Sequence, residues 1–352
     1  MPEVRRVQRF GRSTLMISLP AEWVKSVGLS PGDAINIEVL EDGSLRLTPL
    51  SMTTQRKERV MRVKVSPSSS ESLLTRAIYA GYILGTDRIV IESVSGVLSE
   101  TQLKIIRDIV RLLIGTEIIE HTPKRIVIQI LIDPSKYSAA TIISRMSNLV
   151  RFMVQHIETA IIERKPHLLN EVRELENEVD RLHALTARQL ILTQVNRVIG
   201  KYLGIKPTLA TEYRAVVRAY EEAADTLNRA ATLILESGDT VIDKLASKSD
   251  IFKESIDMLL LIVDRVDRCI SQPDPYLVNE ALNLIAEYRN HMRKYNEILF
   301  KEFGLDRTYL TIREFLDKLG ETANAFETIA ETAFDIAIER TGETLDISKS
   351  FV

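Results

Sequence analysis

Cysteine and tryptophan each occur once in this 352-residue chain, and histidine occurs five times. A single cysteine excludes a disulfide within the chain and a thiolate metal cluster. Cys269 lies in an apolar helical stretch and reads as a small buried hydrophobe. With so little histidine, no Ser-His-Asp or Cys-His constellation can be placed, so nucleophilic catalysis has no visible machinery. Long apolar runs are missing as well. The longest, Met258 to Val263, is far short of the ~20 residues that span a bilayer, and the N-terminus has no apolar signal region. These absences predict a cytoplasmic protein with no stable membrane insertion. Nor is there an excess of one charge: 46 Lys and Arg stand against 49 Asp and Glu, for a net charge of −3. Any contact with nucleic acid must therefore be local. What is present is ordinary globular material, 45% hydrophobic and 27% charged, enough for two or three domains.

Residues 1–50 read as a small all-β module. Val4, Val7, Leu15, Ile17 and Leu19 suit strands, and Gly11 permits a turn between two of them. Pro20 opens a short helix and Gly28 closes it. Pro31-Gly32-Asp33 and Asp42-Gly43 are turn signals, the second of a hairpin. Between them Ile35, Ile37 and Val39 alternate with Asn36 and Glu38, so one face is buried. Four short strands and one turn of helix hide too little apolar surface to fold alone. Oligomerisation is the available staple, which predicts a homodimer. Arg5, Arg6, Arg9 and Arg12 cluster on the first strand and its turn, with only Glu3 against them. Such a cluster gives affinity for phosphates without sequence information. The alternative, less favoured, is a solvated face on a domain that only dimerises.

The stretch VQRFGRSTLMISLPAEWVKSVGLSPGDAINIEVLEDGSLRLTP resembles the swapped-hairpin DNA-binding domain of the AbrB/SpoVT type, most specifically in SLPAEWVKSVGLSPGD. The resemblance implies two interlocked copies, with arginines of the first strand and turn on DNA. Arg5, Arg6, Arg9 and Arg12 occupy that stretch here.

Residues 51–58 are polar and basic and read as a linker. Residues 59–133 follow as a β-α-β-α-β-β unit of two packed layers. Ser70 caps the first helix, with Leu73, Leu74, Ala77, Ile78 and Tyr82 on one face. The second helix carries Leu103, Ile106, Ile109, Val110 and Leu113. The unit has no glycine-rich phosphate loop and no His or carboxylate cluster. It reads by default as a spacer, with a sensory or dimerising module as the alternative, and no organic cofactor is expected.

From residue 138 onward the pattern is helical, in six long helices at about 138–164, 167–203, 208–237, 248–271, 275–303 and 308–341. Prolines and glycines interrupt them. Pro166 and Pro273 end the first helix of each set of three, and Leu168-Leu169-Asn170-Glu171 parallels Leu277-Val278-Asn279-Glu280. An internal repeat follows, with one three-helix bundle in 138–237 and another in 248–341. The phrases ELENEVDRLHALTARQL and EYRAVVRAYEEAADTLNRAATLILE, with FETIAETAFDIAIE in the second copy, resemble the PhoU family of phosphate-uptake regulators over 138–341. The fold expected is therefore multidomain: a small all-β swapped-hairpin domain (1–50), a small α/β βαβαββ domain (59–133) and an all-α PhoU-like double three-helix bundle (138–341). That order looks like an archaeal PhoU-related regulator.

Glu176 and Asp180 stand four apart, so both carboxylates share one helix face, and Glu221 and Asp225 repeat the spacing on the next helix. Like charges so placed repel, and a cation bridging them removes the repulsion. An all-carboxylate set suits Fe, Mn, Mg or Zn. Chance pairs such as Glu174 with Glu178 and Asp317 with Glu321 are common in so charged a chain, so the spacing alone does not define a site. The resemblance adds that these are the E-x-x-x-D motifs that hold metal clusters in PhoU proteins. The second copy departs from it. Ile285 stands in place of Glu176 and Arg289 in place of Asp180, and only Glu327 and Glu331 remain. His183, three residues after Asp180, lacks the second Glu-x-x-His of a di-iron site and reads as a packing or surface residue.

Three functions follow. The first is a transcriptional or signalling regulator of phosphate uptake that binds DNA and senses metal or a partner. The second is a non-DNA adapter docking on the ATPase of a phosphate transporter. The third is a metal-dependent enzyme on a helical bundle. The arginine cluster favours the first, and the missing second x-x-His motif disfavours the third. A non-enzyme is expected.

Overall fold

The structure is a computed structural model that describes residues 3–39, 43–50, 58–132, 137–195 and 197–341. It divides into two units, Met1–Glu58 and Arg59–Val352.

In the first unit β1 (Gln8–Phe10) pairs antiparallel with β2 (Thr14–Met16), with Arg9 opposite Leu15. Gly11 in the turn between them has φ +68°, a conformation that glycine adopts at little cost. Helix α1 (Ala21–Val27) starts after Pro20 and stops at Gly28, whose left-handed φ of 64° lets its N–H donate back to the Lys25 carbonyl. β3 (Ile35–Val39) then pairs with β4 (Leu45–Pro49), with Ile37 opposite Leu47. The expected strand residues Val4, Val7, Ile17 and Leu19 lie outside the ladders. A strand needs a partner's backbone groups, and each hairpin forms a sheet of only two strands. Asp42 of the second turn and residues 51–57 of the expected linker lie outside the described residues.

The second unit opens with the α/β layer. Its elements are β5 (Val60–Val65), α2 (Glu71–Ile83), β6 (Arg88–Ser93), α3 (Glu100–Leu112), β7 (Thr116–His121) and β8 (Arg125–Ile130). The sheet order is β5-β6-β8-β7. β5 and β6 are parallel and the other pairs antiparallel, as a helix crossover followed by a hairpin requires. Ser70 caps α2, and Ser99 with Gln102 closes a capping box on α3. The core of the layer joins Ile78, Tyr82 and Ile106 to Ile89, Ile91 and Ile128, and it takes in Ala184 and Ala187 from the helical region.

The helices that follow are α4 (Ala139–Ile162), α5 (Leu168–Val195), α6 (Arg197–Leu203), α7 (Ala210–Ser237), α8 (Asp239–Ala246), α9 (Ser249–Ser271), α10 (Pro275–Phe303) and α11 (Arg307–Thr341). Two short helices are additional to the six expected. The segment near 167–203 forms α5 and α6, and α8 links the two sets. In α8 the buried Val241, Ile242 and Leu245 are spaced for one helical face, a signal masked in the sequence by the adjoining Gly238. The final helices of the two sets, α7 and α11, pack along each other, and one apolar core runs through both sets. No described helix is long and apolar enough to cross a membrane.

The α/β layer is joined to the bundle by more than its apolar core. Arg188 of α5 places its guanidinium 5.2 Å from the centre of the Tyr82 ring and donates to the Tyr82 carbonyl at 2.7 Å. A buried charge so held fixes α5 against α2. The layer expected to be a spacer is thereby part of the wall around the bundle's first carboxylates.

Candidate metal centre

Helices α5 and α7 lie side by side. Val172, Val179 and Leu182 on one, and Ala223, Ala224 and Leu227 on the other, are buried. The acidic residues flank this seam and are drawn half out of water by it. The carboxylates of Glu176, Asp180 and Asp225 come within 4.8 Å of one another, and so do those of Glu221, Glu222 and Asp225. The four residues expected from the sequence are thus sorted into two groups of three that share Asp225. Glu222 is an addition. It follows Glu221 directly and stands three residues before Asp225, a spacing that also shares one helix face.

Crowding shows in the acidities. Burial, then the charges of Asp180 and Asp225, push Glu176 up to about 7. Burial and Asp225 raise Asp180 to about 6 against the pull of Arg218. Burial and Asp225 raise Glu221 to about 7. Asp225 itself is raised by burial, with the Arg229 charge opposing. Each shift means that the charged form lacks the solvation or counter-charge it has in water.

Two arginines of α7 offset part of this. Arg218 donates to Glu221 Oε1 at 2.6 Å and to Glu222 Oε2 at 3.4 Å. Arg229 donates to Glu222 Oε1 at 3.2 Å and lies 3.9 Å from Asp225. Glu221 Oε2 is buried and accepts nothing. Three carboxylates within reach of one ion, with an acceptor left over, fit a hard or borderline cation bound through oxygen.

Tyr79 reaches the site from α2, in the α/β layer. Its hydroxyl lies 3.4 Å from His183 Nδ1. Burial, then the charges of Asp180 and Glu221, push it up to about 12. His183 is only 5% exposed, and burial with the charges of Arg214 and Arg218 lowers it to about 4. It is a buried residue, one of the two readings the sequence allowed. Tyr79, Asp180 and Arg181 also line a cleft of about 340 Å³ between α2, α3 and α5, whose apolar wall includes Ile105, Ile109 and Leu113. Nothing in the sequence links residue 79 to residue 180. Only the packing of the layer on α5 does.

In the second helical set Ile285 is fully buried in the core. Arg289 donates to Glu327 through both terminal nitrogens and to Asn324 at 2.8 Å. Of the two remaining carboxylates, Glu327 has a resident counter-ion in Arg289.

On the first unit Arg5, Arg6, Arg9 and Arg12 are all exposed. Arg5 pairs with Glu3, while Arg6, Arg9 and Arg12 make no ion pair among the described residues.

Two family models match the chain. The model for MazE, an antitoxin of bacteria that recognises its toxin, matches residues 8–55. The PhoU domain matches residues 143–234, which spans the carboxylate-bearing helices α5 and α7. No curated protein matches. Both families are regulators rather than enzymes. The chain therefore joins a MazE/AbrB-like N-terminal domain to a PhoU-like helical region.

Proposed function

We propose that this chain is a dimeric, DNA-binding regulator of phosphate uptake whose PhoU-like region senses a metal ion. The observation that carries the reading is the division of labour between the two matched segments. Arginines stand exposed on one, with Arg6, Arg9 and Arg12 in no ion pair among the described residues, and anions are crowded without enough partners on the other.

The dimer follows from the first unit's surface. Among its described residues only Pro49 is buried, while Val4 is 93%, Val39 73% and Phe10 64% exposed. Contiguous apolar surface on so small a unit is stabilised by a second copy. In that dimer Arg5, Arg6, Arg9 and Arg12 supply the charge that meets DNA phosphates. In the helical region Glu176, Asp180 and Asp225, with Glu221 and Glu222 beside them, are the residues that would hold the ion. When bound, Fe, Mn, Mg or Zn supplies the positive charge that this set lacks. Arg218 and Arg229 hold Glu221 and Glu222 in place, and Tyr79 and His183 shield the site from water on the side of the α/β layer. Sensing then requires only that the ion favour one of two states of the protein.

The test is fluorescence anisotropy on labelled DNA from upstream of phosphate-transport genes, at two salt concentrations, with and without Mn²⁺. Binding should weaken steeply with salt. Replacing Arg6, Arg9 and Arg12 by Ala should reduce the salt slope by roughly one per lost phosphate contact. DNA affinity that ignores the triple replacement would remove DNA from the reading and leave the N-terminal unit to a protein partner, as the MazE match also allows.

A further inference from the structure

The cleft of about 340 Å³ is built from both halves of the second unit. Tyr79 comes from α2, Ile105, Asp108 and Leu112 from α3, and Asp180 and Arg181 from α5. Whatever fills it touches the α/β layer and the bundle together. Its size is that of a small-molecule site, and such sites favour the junctions between packed units.

The lining says what kind of molecule fits. Ile105, Ile109 and Leu112 are spaced for one face of α3, and Leu112 is 44% exposed. That face is an apolar wall. The charges opposite it are unequal in sign. Asp108 and Asp180 make no ion pair among the described residues. Arg181 is turned to Glu178 of its own helix, which Arg145 also pairs with. Two carboxylates against one guanidinium repel an anion and attract a cation. A bare ion would use the carboxylates and leave the wall in water. An organic cation covers both, and the Tyr79 hydroxyl can accept one of the protons of an ammonium group.

We propose that this cleft binds a small amphipathic amine, its ammonium group on Asp108 and Asp180 and its apolar body against α3. The α/β layer then carries an input of its own. Binding of the amine does not depend on the metal-sensing reading, but its consequence rests on it. Asp180 also belongs to the acidic group with Glu176 and Asp225. Amine and metal therefore compete for one carboxylate, and by linkage each weakens the other by the same factor.

Calorimetric titration of the full chain, freed of metal with EDTA, tests the proposal with phenethylamine as the probe. The amine should bind saturably, about 10-fold or more tighter than phenethyl alcohol, which has the same body without the charge. Hydrocinnamate, with the opposite charge, should not bind. Asp108→Asn should weaken the amine by about 10-fold. Leu112→Lys places a cation in the cleft from a position already 44% exposed, so it spares the fold and should abolish binding. Glu327→Gln, in the second helical set, should bind as the parent does. Saturating Mn²⁺ should weaken the amine as much as the amine weakens Mn²⁺. Equal affinity for amine and alcohol, or binding that survives both Asp108→Asn and Leu112→Lys, overturns the proposal. So does Mn²⁺ that binds without weakening the amine, because Asp180 is then not its partner. A chain that binds the amine but no Mn²⁺ removes the metal reading and leaves the cleft site standing.

Discussion

Asp180 and Arg289 occupy matching positions in the two helical sets, and they meet opposite company. Asp180 stands beside Glu176 of its own helix and faces Asp225 across the α5–α7 seam. Arg289 faces Glu327 and Asn324 across the corresponding seam of α10 and α11. One residue earlier by a helical turn, Glu176 is half-buried and pushed up to about 7, whereas Ile285 is fully buried in apolar surroundings. The two sets share a packing plan. One uses its seam to hold uncompensated charge, and the other closes the seam with an ion pair and a hydrocarbon side chain. Crowded, partly buried carboxylates lower stability where their counter-charges are too few, and the two sets differ in whether they carry such a group.

The largest effect that sharpens this contrast is on metal-linked stability. Asp225 belongs to both acidic groups, so Asp225→Asn removes a ligand from each. Wild-type protein should gain about 2.7 kcal/mol when the metal is at a hundred times its dissociation constant. Asp225→Asn should lose most of that gain, while Glu327→Gln in the second set should keep it. Melting with Mn²⁺ against EDTA checks this, with elemental analysis of protein purified without chelator. Equal losses in both variants would break the contrast.

The sequence carried much of this, and unevenly. The βαβαββ order, the hairpins of the first unit and the helical repeat were all legible, because caps, turn residues and apolar periodicity are local signals. Glu176, Asp180, Glu221 and Asp225 were legible because four-residue spacing is a property of one helix. The replacement of the second copy's carboxylates by Ile285 and Arg289 was legible for the same reason. Glu222 escaped because its spacing to Asp225 on the same helix is three residues rather than four. Tyr79 escaped because its place beside the carboxylates comes from α2 lying on α5, which is not written in local periodicity. The helix α8 escaped because Gly238 and the short length of the element hid three buried residues.

A second, smaller effect is the response to pH. Glu176, Asp180 and Glu221 have folded-state values of about 7, about 6 and about 7, above the ordinary carboxylate range near 4. The folded state therefore binds more protons than the unfolded state between roughly pH 4 and pH 7. Their effect is least destabilising below that range, and stability falls as pH rises through it. Metal-free protein should melt lower at pH 8 than at pH 5.5, and Glu176→Gln should flatten the dependence. Metal should abolish it by replacing the protons. A slope unchanged by Glu176→Gln would place its origin elsewhere.

The smallest effect tests whether Arg289 is the resident counter-ion of the second set. Its side chain is 40% exposed and that of Glu327 31%, so solvent screens the pair, and Arg289→Met should cost only about 1 kcal/mol at low salt. The value should shrink as salt is raised. Arg289→Asp is the sharper variant. It removes the counter-ion and places a carboxylate beside Glu327, at the position that Asp180 holds in the first set. Without metal it should cost more than Arg289→Met, because repulsion is added to the lost pair. With Mn²⁺ it should recover part of the difference, although Ile285 still denies it the ligand that Glu176 provides. Thermal melts of both variants, with and without Mn²⁺, read all four values. Recovery in Arg289→Asp but not in Arg289→Met would show that the two seams differ in their side chains alone. No recovery in either would mean that a carboxylate at 289 beside Glu327 does not make up for Ile285, and the ability to hold an ion would then rest on the Glu176 position as well.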